Sequence, residues 1–529
     1  MKKILLYATV FAALLVSSSC SDSFITNQPS TDLPGNKEYT EAMIDQSMIG
    51  SYLPLQWFDL WMPLPLIAEA MGDDIRVGGG SAEDQLATHD ISRYRGSAST
   101  HSDAIWSACY EGIFHTNIVI NRAAEVKMDK DKIDRLIAEA YALRTFYYYQ
   151  VWRFYGNIPF FENNPNDIVS EWKNIKQYKA DEMYEFLIRD INKALEGDHL
   201  PLRTDAKEYG RFSRAAAQML KAHIVLTQAD QSKYAEVVTD MKTIIESPLY
   251  DLEPNFASMW ESAGEWGKES IFEINYTDNG ATRGWGDDGK KPGGSVFPTM
   301  IGINGFNDNS GIPSVYSAGW GFMPMEKHLY DLYEDADQRK NGGILSFDYY
   351  VDNINPKATY DDSRWDNTGY FNKKYLPRKG ENSLALGSTD LNYRNNHRIY
   401  RLADTYLIAA ELILRTGGDQ GTAETYLNKV RGRAYQYTGT YQKPATLDNI
   451  LAERRLEFSG EGHRFFDLLR FGKATDISKE MQIGWKELEG GKRERIYGTF
   501  KYTSDKRYFP IPKSEIDRSL GALTQNEGY

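Results

Sequence analysis

A mainly α fold, with helix pairs of tetratricopeptide type arranged around a long irregular region rich in aromatics, follows from three features of this sequence. Apolar residues recur at steps of three and four over residues 39–254 and again from 399 to 529, the spacing of one buried helix face. Helix-sized runs come in pairs separated by short turns. Between the two blocks, residues 255–398 lose the period and fill with Gly, Asn, Asp, Ser, Trp and Tyr.

At the start of the chain, Lys2 and Lys3 precede an apolar run from Ile4 to Val16, followed by Ser17, Ser18, Ser19 and Cys20. A charged, then apolar, then small-residue order is that of an export signal. The run has about 13 apolar residues where a spanning helix needs about 20, so it is read as a cleaved segment rather than a membrane helix. Cys20, directly after small residues, is placed as the acylated cysteine of a bacterial lipoprotein, although Ser17 stands where such signals more often carry leucine. The prediction is a signal peptide over 1–19, a lipidated Cys20 that anchors the protein at a membrane, and a polar Pro/Ser/Thr-rich tether over 20–38. One folded domain, 39–529, follows.

With Cys20 acylated, Cys109 is the only remaining thiol, which excludes disulfide stapling and cysteine-based zinc sites. Stability then rests on a large core, which a 41% apolar composition can supply. The net charge is −13 and becomes more negative when the two lysines leave with the signal. An acidic exported chain without a basic stripe is not expected to bind nucleic acid.

Within the first block, "IDRLIAEAYALRTFYYYQVWRFYG" keeps Leu136, Ala140, Leu143, Tyr147 and Val151 on one stripe and stops at Gly156 with Pro159 beyond. "ADEMYEFLIRDINKALE" continues the pattern, and the runs of residues 213–246 form a helix pair, with Ala216, Ala222 and Ala229 as small residues for close helix approach. Trp57 and Trp61, at helical spacing on an apolar stretch, are expected in the core, as is "FYYYQVW". A second pair lies over 400–435, each about the length of one 34-residue tetratricopeptide unit.

The segment "ERRLEFSGEGHRFFDLLRFG", residues 453–472, balances Glu453, Glu457, Glu461 and Asp467 against Arg454, Arg455, Arg464 and Arg470. Equal numbers point to mutual pairing rather than to a site holding spare charge. Asp448 is expected to cap the helix before it, and Phe465, Leu468 and Leu469 to face inward on the next, where Arg464 and Asp467 can pair three apart. His463, the one conceivable general base, is read as structural.

The segments "RRLEFSGEGHRFFDLLRFGK", "AYALRTFYYYQVWRFYGNIPFF", "YRLADTYLIAAELIL" and "RYFPIPKSEIDRSLGALTQNEGY" resemble the hallmark segments of the SusD/RagB family of Bacteroidetes outer-membrane lipoproteins, in the expected order and over nearly the whole chain after Cys20. The resemblance implies a SusD-like fold, mostly helical with tetratricopeptide-like pairs. It also implies non-catalytic capture of glycans at the cell surface, and a SusC-like TonB-dependent transporter as partner, over which such a protein sits as a lid. The charged motif has a structural role in that family.

Sugars present an apolar C–H face and a rim of hydroxyls, so a receptor needs flat aromatic platforms edged by carboxylates, amides and arginines. Loops on a rigid scaffold are where such residues tend to sit, and the 255–398 region offers Trp266, Trp285, Trp320, Trp365, Tyr316, Tyr370 and Tyr393 with Arg364, Asp366, Asn367 and Arg394. Trp365, flanked by polar residues, reads as the more exposed platform, and Trp320 as either a platform or a packing residue. "GDDIRVGGG", with Asp73, Asp74 and Arg76, is a second candidate wall, since the corresponding family loop lies near the binding face. No cofactor is required; calcium is possible at "GWGDDG" or "YDDSRWDN", as in some family members, though neither spacing dictates it. Three readings stay open: a glycan-binding protein, a peptide- or glycopeptide-binding member of the same uptake system, and a glycoside hydrolase.

Overall fold

The computed structural model describes residues 38–61, 63–99, 103–164, 174–287, 289–309 and 315–529. The expected signal peptide, Cys20 and all of the tether but residue 38 lie outside the described residues. Residues 1–40 and 41–529 form separate units, and the second holds the whole of the scaffold and of the loop region. No helix among the described residues is long and apolar enough to cross a membrane.

Eleven helices carry the scaffold: α1 Glu41–Tyr52, α2 Pro63–Ala70, α3 Ala104–Arg122, α4 Lys130–Tyr155, α5 Ala180–Leu195, α6 Arg214–Gln228, α7 Tyr234–Ile245, α8 Leu402–Arg415, α9 Gln420–Ala434, α10 Leu447–Glu457 and α11 Arg464–Arg470. Local chemistry sets their ends. The Asp129 carboxylate accepts from Lys132 N at 3.1 Å to cap α4, and Gly156 ends it at φ 67° with the Tyr508 ring where a Cβ would stand. Ser213 caps α6 in the same way. The α4 aromatics are core as expected, with Tyr147, Tyr148 and Trp152 almost inaccessible, and so are Trp57 and Trp61. Ala216 and Ala222 are fully buried, whereas Ala229 is the left-handed cap of α6.

The two predicted helix pairs are α6–α7 and α8–α9, and α7 packs directly on α8, so the second pair continues the stack begun by the first. Between them the chain leaves and returns through an antiparallel ribbon, β1 Ser270–Ile274 against β2 His397–Arg401, with Ser270 opposite Arg401 and Ile274 opposite His397. The region it encloses consists of short pieces and loops, as predicted. It is nevertheless well packed: Phe256, Trp260, Met300, Phe322, Met325 and Tyr375 share a core with Leu66 of α2 and with Met481.

One element departs from the predicted helical character of 399–529. β3 Ser478–Glu487 and β4 Arg493–Lys501 form a long antiparallel hairpin, bulged between Gln482 and Gly484. Buried Lys479, which donates to Ala70 O at 2.7 Å, occupies an inward position that an apolar side chain would normally mark, so the strand alternation is masked.

The charged segment is scaffold, but its pairing is not mainly internal. Glu457 accepts from Arg339 at 2.8 Å, from Arg401 at 2.5 Å, and from Arg433. Around it, Glu269 holds Arg401 and Arg433, Glu453 holds Arg339 and Arg431, Glu461 holds Arg401 and Lys374, and Asp337 holds Arg339, all with little or no solvent contact. Burial alone would raise the Glu457 carboxyl; the guanidiniums of Arg433, Arg401 and Arg339 hold it well below the ordinary range. Arg454 bridges Asp404 and Asp467, and Arg470 bridges Asp467 and Glu411. Arg464 does not pair with Asp467 but with Asp73, at 2.7 Å. Thr446, not Asp448, caps α10, while Asp448 pairs with Lys473. Phe465 and Leu468 are buried and Leu469 only half so. Burial keeps His463 neutral, down at about 4.

Removing one member of a buried ion pair strands its partners, so Glu457→Ala is expected to lower unfolding free energy by about 3 to 5 kcal/mol in urea titration, while breaking the exposed Lys513–Asp517 pair costs under about 1 kcal/mol. Glu69, fully buried with one oxygen unpartnered, is pushed by burial from 4.5 up to about 8. Between those values the unfolded chain has lost the proton that the folded protein keeps, so this residue makes stability fall as pH rises. Relative to the wild type, Glu69→Gln is therefore expected to gain stability progressively across that window; a pH-independent difference would refute the assignment.

Candidate functional site

Two of the predicted tryptophans come together at the surface. Trp285 and Trp320 lie with ring centroids 5.6 Å apart and planes inclined by 41°, within the range of a favourable aromatic pair. Trp285 is 65% exposed, and Trp320 is half-buried, its inner part packed on the loop-region core. Together they form a bent indole surface.

Each is held by backbone constraints. Trp320 N donates to Thr299 O at 2.8 Å, and the flanking Gly319 and Gly321 donate to Ile303 and Gly302. Gly319 runs so close to Gly302 that a Cβ on either would collide with the other's backbone. Trp285 sits in a turn in which the Asp287 carboxylate accepts from Gly284 N at 2.6 Å and from Lys291 Nζ at 3.1 Å. Beneath the turn, the buried Arg283 guanidinium donates to the carbonyls of Gln56 (3.0 Å), Lys291 (2.5 Å), Leu391 and Gly294. Sequence reasoning does not single out Arg283; its signal is only its place two residues before an exposed tryptophan.

A polar edge adjoins the pair. Arg364 Nη2 donates to Trp320 O at 3.0 Å, and its Nε has no hydrogen-bond partner among the described residues. The glycine run of "GDDIRVGGG" passes beside it: Gly79 N donates to Gly321 O at 3.1 Å, and Gly80 faces the Arg364 guanidinium and donates its N–H to the Asp84 carboxylate. Gly78, at φ 77°, has Gly321 O where a Cβ would be, so only glycine brings the strand this near. Asn304 joins by donating to Gly319 O at 2.9 Å. Gly80, Asp84 and Asn304 are thus additions to the expected set, with the glycine run as the legible signal for the first two.

Other expected residues are elsewhere or differently employed. Trp365 is buried, not an exposed platform; it packs edge-on against Trp485 of the hairpin. Asp366 beside it is fully buried and exchanges hydrogen bonds with Gln482. Tyr316 belongs to a second apolar cluster with Phe306 and Tyr350, and Tyr393 is buried with its backbone bridged to Ser295. Tyr370 is half-buried against Tyr330. Trp266 stacks on Tyr209 at 4.7 Å and donates to Asn275. Asn367 is engaged by Tyr360, Asp362 and Gly369. Arg394 stays half-buried, its backbone N–H given to Glu381 O.

Asp73 and Asp74 are not a binding wall. They are drawn onto the scaffold by Arg464 and by Arg455, which meets Asp74 at 2.5 Å. Burial would raise Asp74, but the hydrogen bond from His328 and the charge of Arg455 hold it well below the usual carboxylate range. Arg76 likewise pairs with Glu326 at 2.6 Å.

Among the described residues, no group of three or more His, Cys, Asp or Glu side chains is placed to hold a metal ion. In "GWGDDG", Asp287 is taken by Gly284 and Lys291, and Asp288 lies outside the described residues. In "YDDSRWDN", the Asp361 carboxylate accepts from Ser363. Asp287 and Asp361 are thus engaged by the protein's own donors.

Comparison with known proteins agrees with this architecture. A family described as "SusD family" matches residues 347–529, and one described as "Starch-binding associating with outer membrane" matches 41–226. Surface glycan-binding protein A from Bacteroides thetaiotaomicron, solved in complex with laminarihexaose, is 35% identical with a TM-score of 0.81, over 92% of this chain and 100% of that one. A laminarin-binding SusD-like protein is 28% identical with a TM-score of 0.79, over 93% and 100%. SusD-like protein P2 from Formosa agariphila is 24% identical over 98% of this chain and 99% of its own.

The exposure of Trp285 is directly measurable. Acrylamide quenching of intrinsic fluorescence is expected to show one readily quenched component that disappears in Trp285→Phe and persists in Trp365→Phe; the reverse pattern would contradict the arrangement.

Proposed function

This chain belongs to the SusD/RagB family, and from that premise we propose that it is a non-catalytic glycan-binding lipoprotein of the outer membrane, which captures oligo- or polysaccharide outside the cell and passes it to a SusC-like TonB-dependent transporter. The observation that carries the reading is the Trp285–Trp320 surface. Two rigid indoles set at an angle match the apolar faces of two consecutive sugar units in a curved chain, and they offer large contact area at low entropic cost. Arg364 and Asp84 supply charged hydrogen-bonding groups at the edge, suited to sugar hydroxyls.

Laminarin is the first ligand to test, because one of the similar proteins was solved in complex with laminarihexaose and another is described as laminarin binding. Relatives are described as binding proteins, and the non-catalytic assignment extends that description to this chain. The lipid anchor on Cys20, the outward orientation and the transporter partner are parts of the same proposal, and rest on the signal sequence and on family membership.

In native gels containing laminarin, the protein lacking residues 1–20 is expected to be retarded. Trp285→Ala and Trp320→Ala should each abolish the retardation in a folded protein, whereas Trp365→Ala should lower stability and leave retardation intact. Steady release of new reducing ends during incubation would replace the binding role with hydrolysis. No retardation by laminarin or by any other polysaccharide in a panel would refute the polysaccharide reading.

A further inference from the structure

A cavity of about 270 Å³ opens within the scaffold, between α2, α4, α6, β2 and α11, and none of Trp285, Trp320 or Arg364 lines it. Two of its wall residues are the arginines Arg153 and Arg507. Neither is within ion-pair distance of a carboxylate among the described residues. Arg153, in the last turn of α4, is held over the rings of Tyr149 at 5.3 Å, Phe154 at 4.9 Å and Phe466 at 4.7 Å. Its Nε is enclosed and has no hydrogen-bond partner among the described residues. Arg507, from the segment after the hairpin, donates through Nη1 to Arg153 O at 2.9 Å, which brings the two residues together.

The acids on the same wall do not neutralise them. Glu461 is taken by Arg401 and Lys374, and Asp467 by Arg454 and Arg470. Arg470 is itself satisfied by Glu411 at 3.0 Å. Of the three wall histidines, burial pushes His397 down to about 3 and His463 to about 4, and His223 is engaged by the Asp404 carboxylate at 2.7 Å. Burial also lowers both arginines from their ordinary value, the direction expected of cations removed from water without a counter-charge. Two guanidiniums without a carboxylate partner on the wall of one void suit an anion from outside. Guanidiniums present parallel donors to oxyanions.

We propose that this cavity is a binding site for a small oxyanion, a phosphate, sulfate or carboxylate group borne by a ligand no larger than one sugar unit, held between Arg153 and Arg507. The aromatic sandwich fixes the Arg153 guanidinium, and Gln150 lines the same cavity with an Oε1, unpartnered among the described residues, that can accept from a hydroxyl of the ligand but not from the oxyanion itself. The site is separate from the tryptophan surface and stands or falls independently of the glycan reading.

Isothermal titration of the purified protein with inorganic phosphate, inorganic sulfate and glucuronate tests it, chloride serving as the background salt. The expected result is saturable binding of at least one probe at one site per chain. Arg507→Gln should weaken it at least tenfold with an unchanged circular dichroism spectrum, and Trp285→Ala should leave it unaltered. Preference for glucuronate identifies a sugar-borne carboxylate, and preference for phosphate or sulfate identifies the free ion. If Arg153→Gln does not fold, Arg507→Gln, on an irregular segment, decides alone. Absence of saturable binding by all three probes, or binding untouched by Arg507→Gln, overturns the proposal.

Discussion

Glu457 is the residue on which the rest of the molecule converges. Its carboxylate gathers Arg339 from the loop region, Arg401 from the ribbon at the base of that region, and Arg433 from the last turn of α9. Desolvating so many charges is costly, and the cost is offset only when every partner is in place with good geometry. That condition is a constraint on the whole fold: the helix pairs, the returning strand and the loops must all be assembled before the charges can be matched. We regard the network as the device that selects one arrangement of an otherwise loosely specified loop region, a role distinct from adding net stability.

The consequence for the surface site runs through the ribbon. Arg401 terminates β2, and Glu269, immediately before β1, is its partner. The entry and exit of the loop region are therefore clamped by the same network. Beyond the clamp, two separate loops bring Trp285 and Trp320 together, each fixed by backbone bonds and by glycine contacts that leave no room for a side chain. Preorganised indoles lose little freedom when a ligand arrives. The hairpin adds a brace from another direction, since Gln482 locks Asp366 and Arg495 donates to Arg364 O. Loops so tied behave as parts of the scaffold rather than as flexible connections.

The interior of the scaffold shows two regimes of electrostatics. Around α10 and α11, most guanidiniums are matched to carboxylates, and the charged motif of residues 453–472 is a set of struts. In the neighbouring cavity the matching stops at Arg153 and Arg507, where aromatic rings take the place of acids. Charge matching is thus a local property of the helix junctions, and its interruption is as informative as its presence.

The sequence by itself determined the helical scaffold, the pairing of helices and the structural nature of "ERRLEFSGEGHRFFDLLRFG". Periodicity, caps and charge balance are local or compositional, and they survive without knowledge of neighbours. It also singled out Trp285, Trp320 and Arg364, which the structure brings together, because aromatic and polar residues in loops are legible as such. Tertiary structure decided which of the aromatics are exposed. Polar neighbours made Trp365 look exposed, yet the hairpin covers it; Asp73 and Asp74 looked available, yet Arg464 and Arg455, 391 and 381 positions away in the chain, claim them. The hairpin itself escaped prediction because a buried lysine interrupts its alternation. Exposure and ion pairing depend on what packs above a residue, and that partner is set by the folded path of the chain rather than by its local spelling.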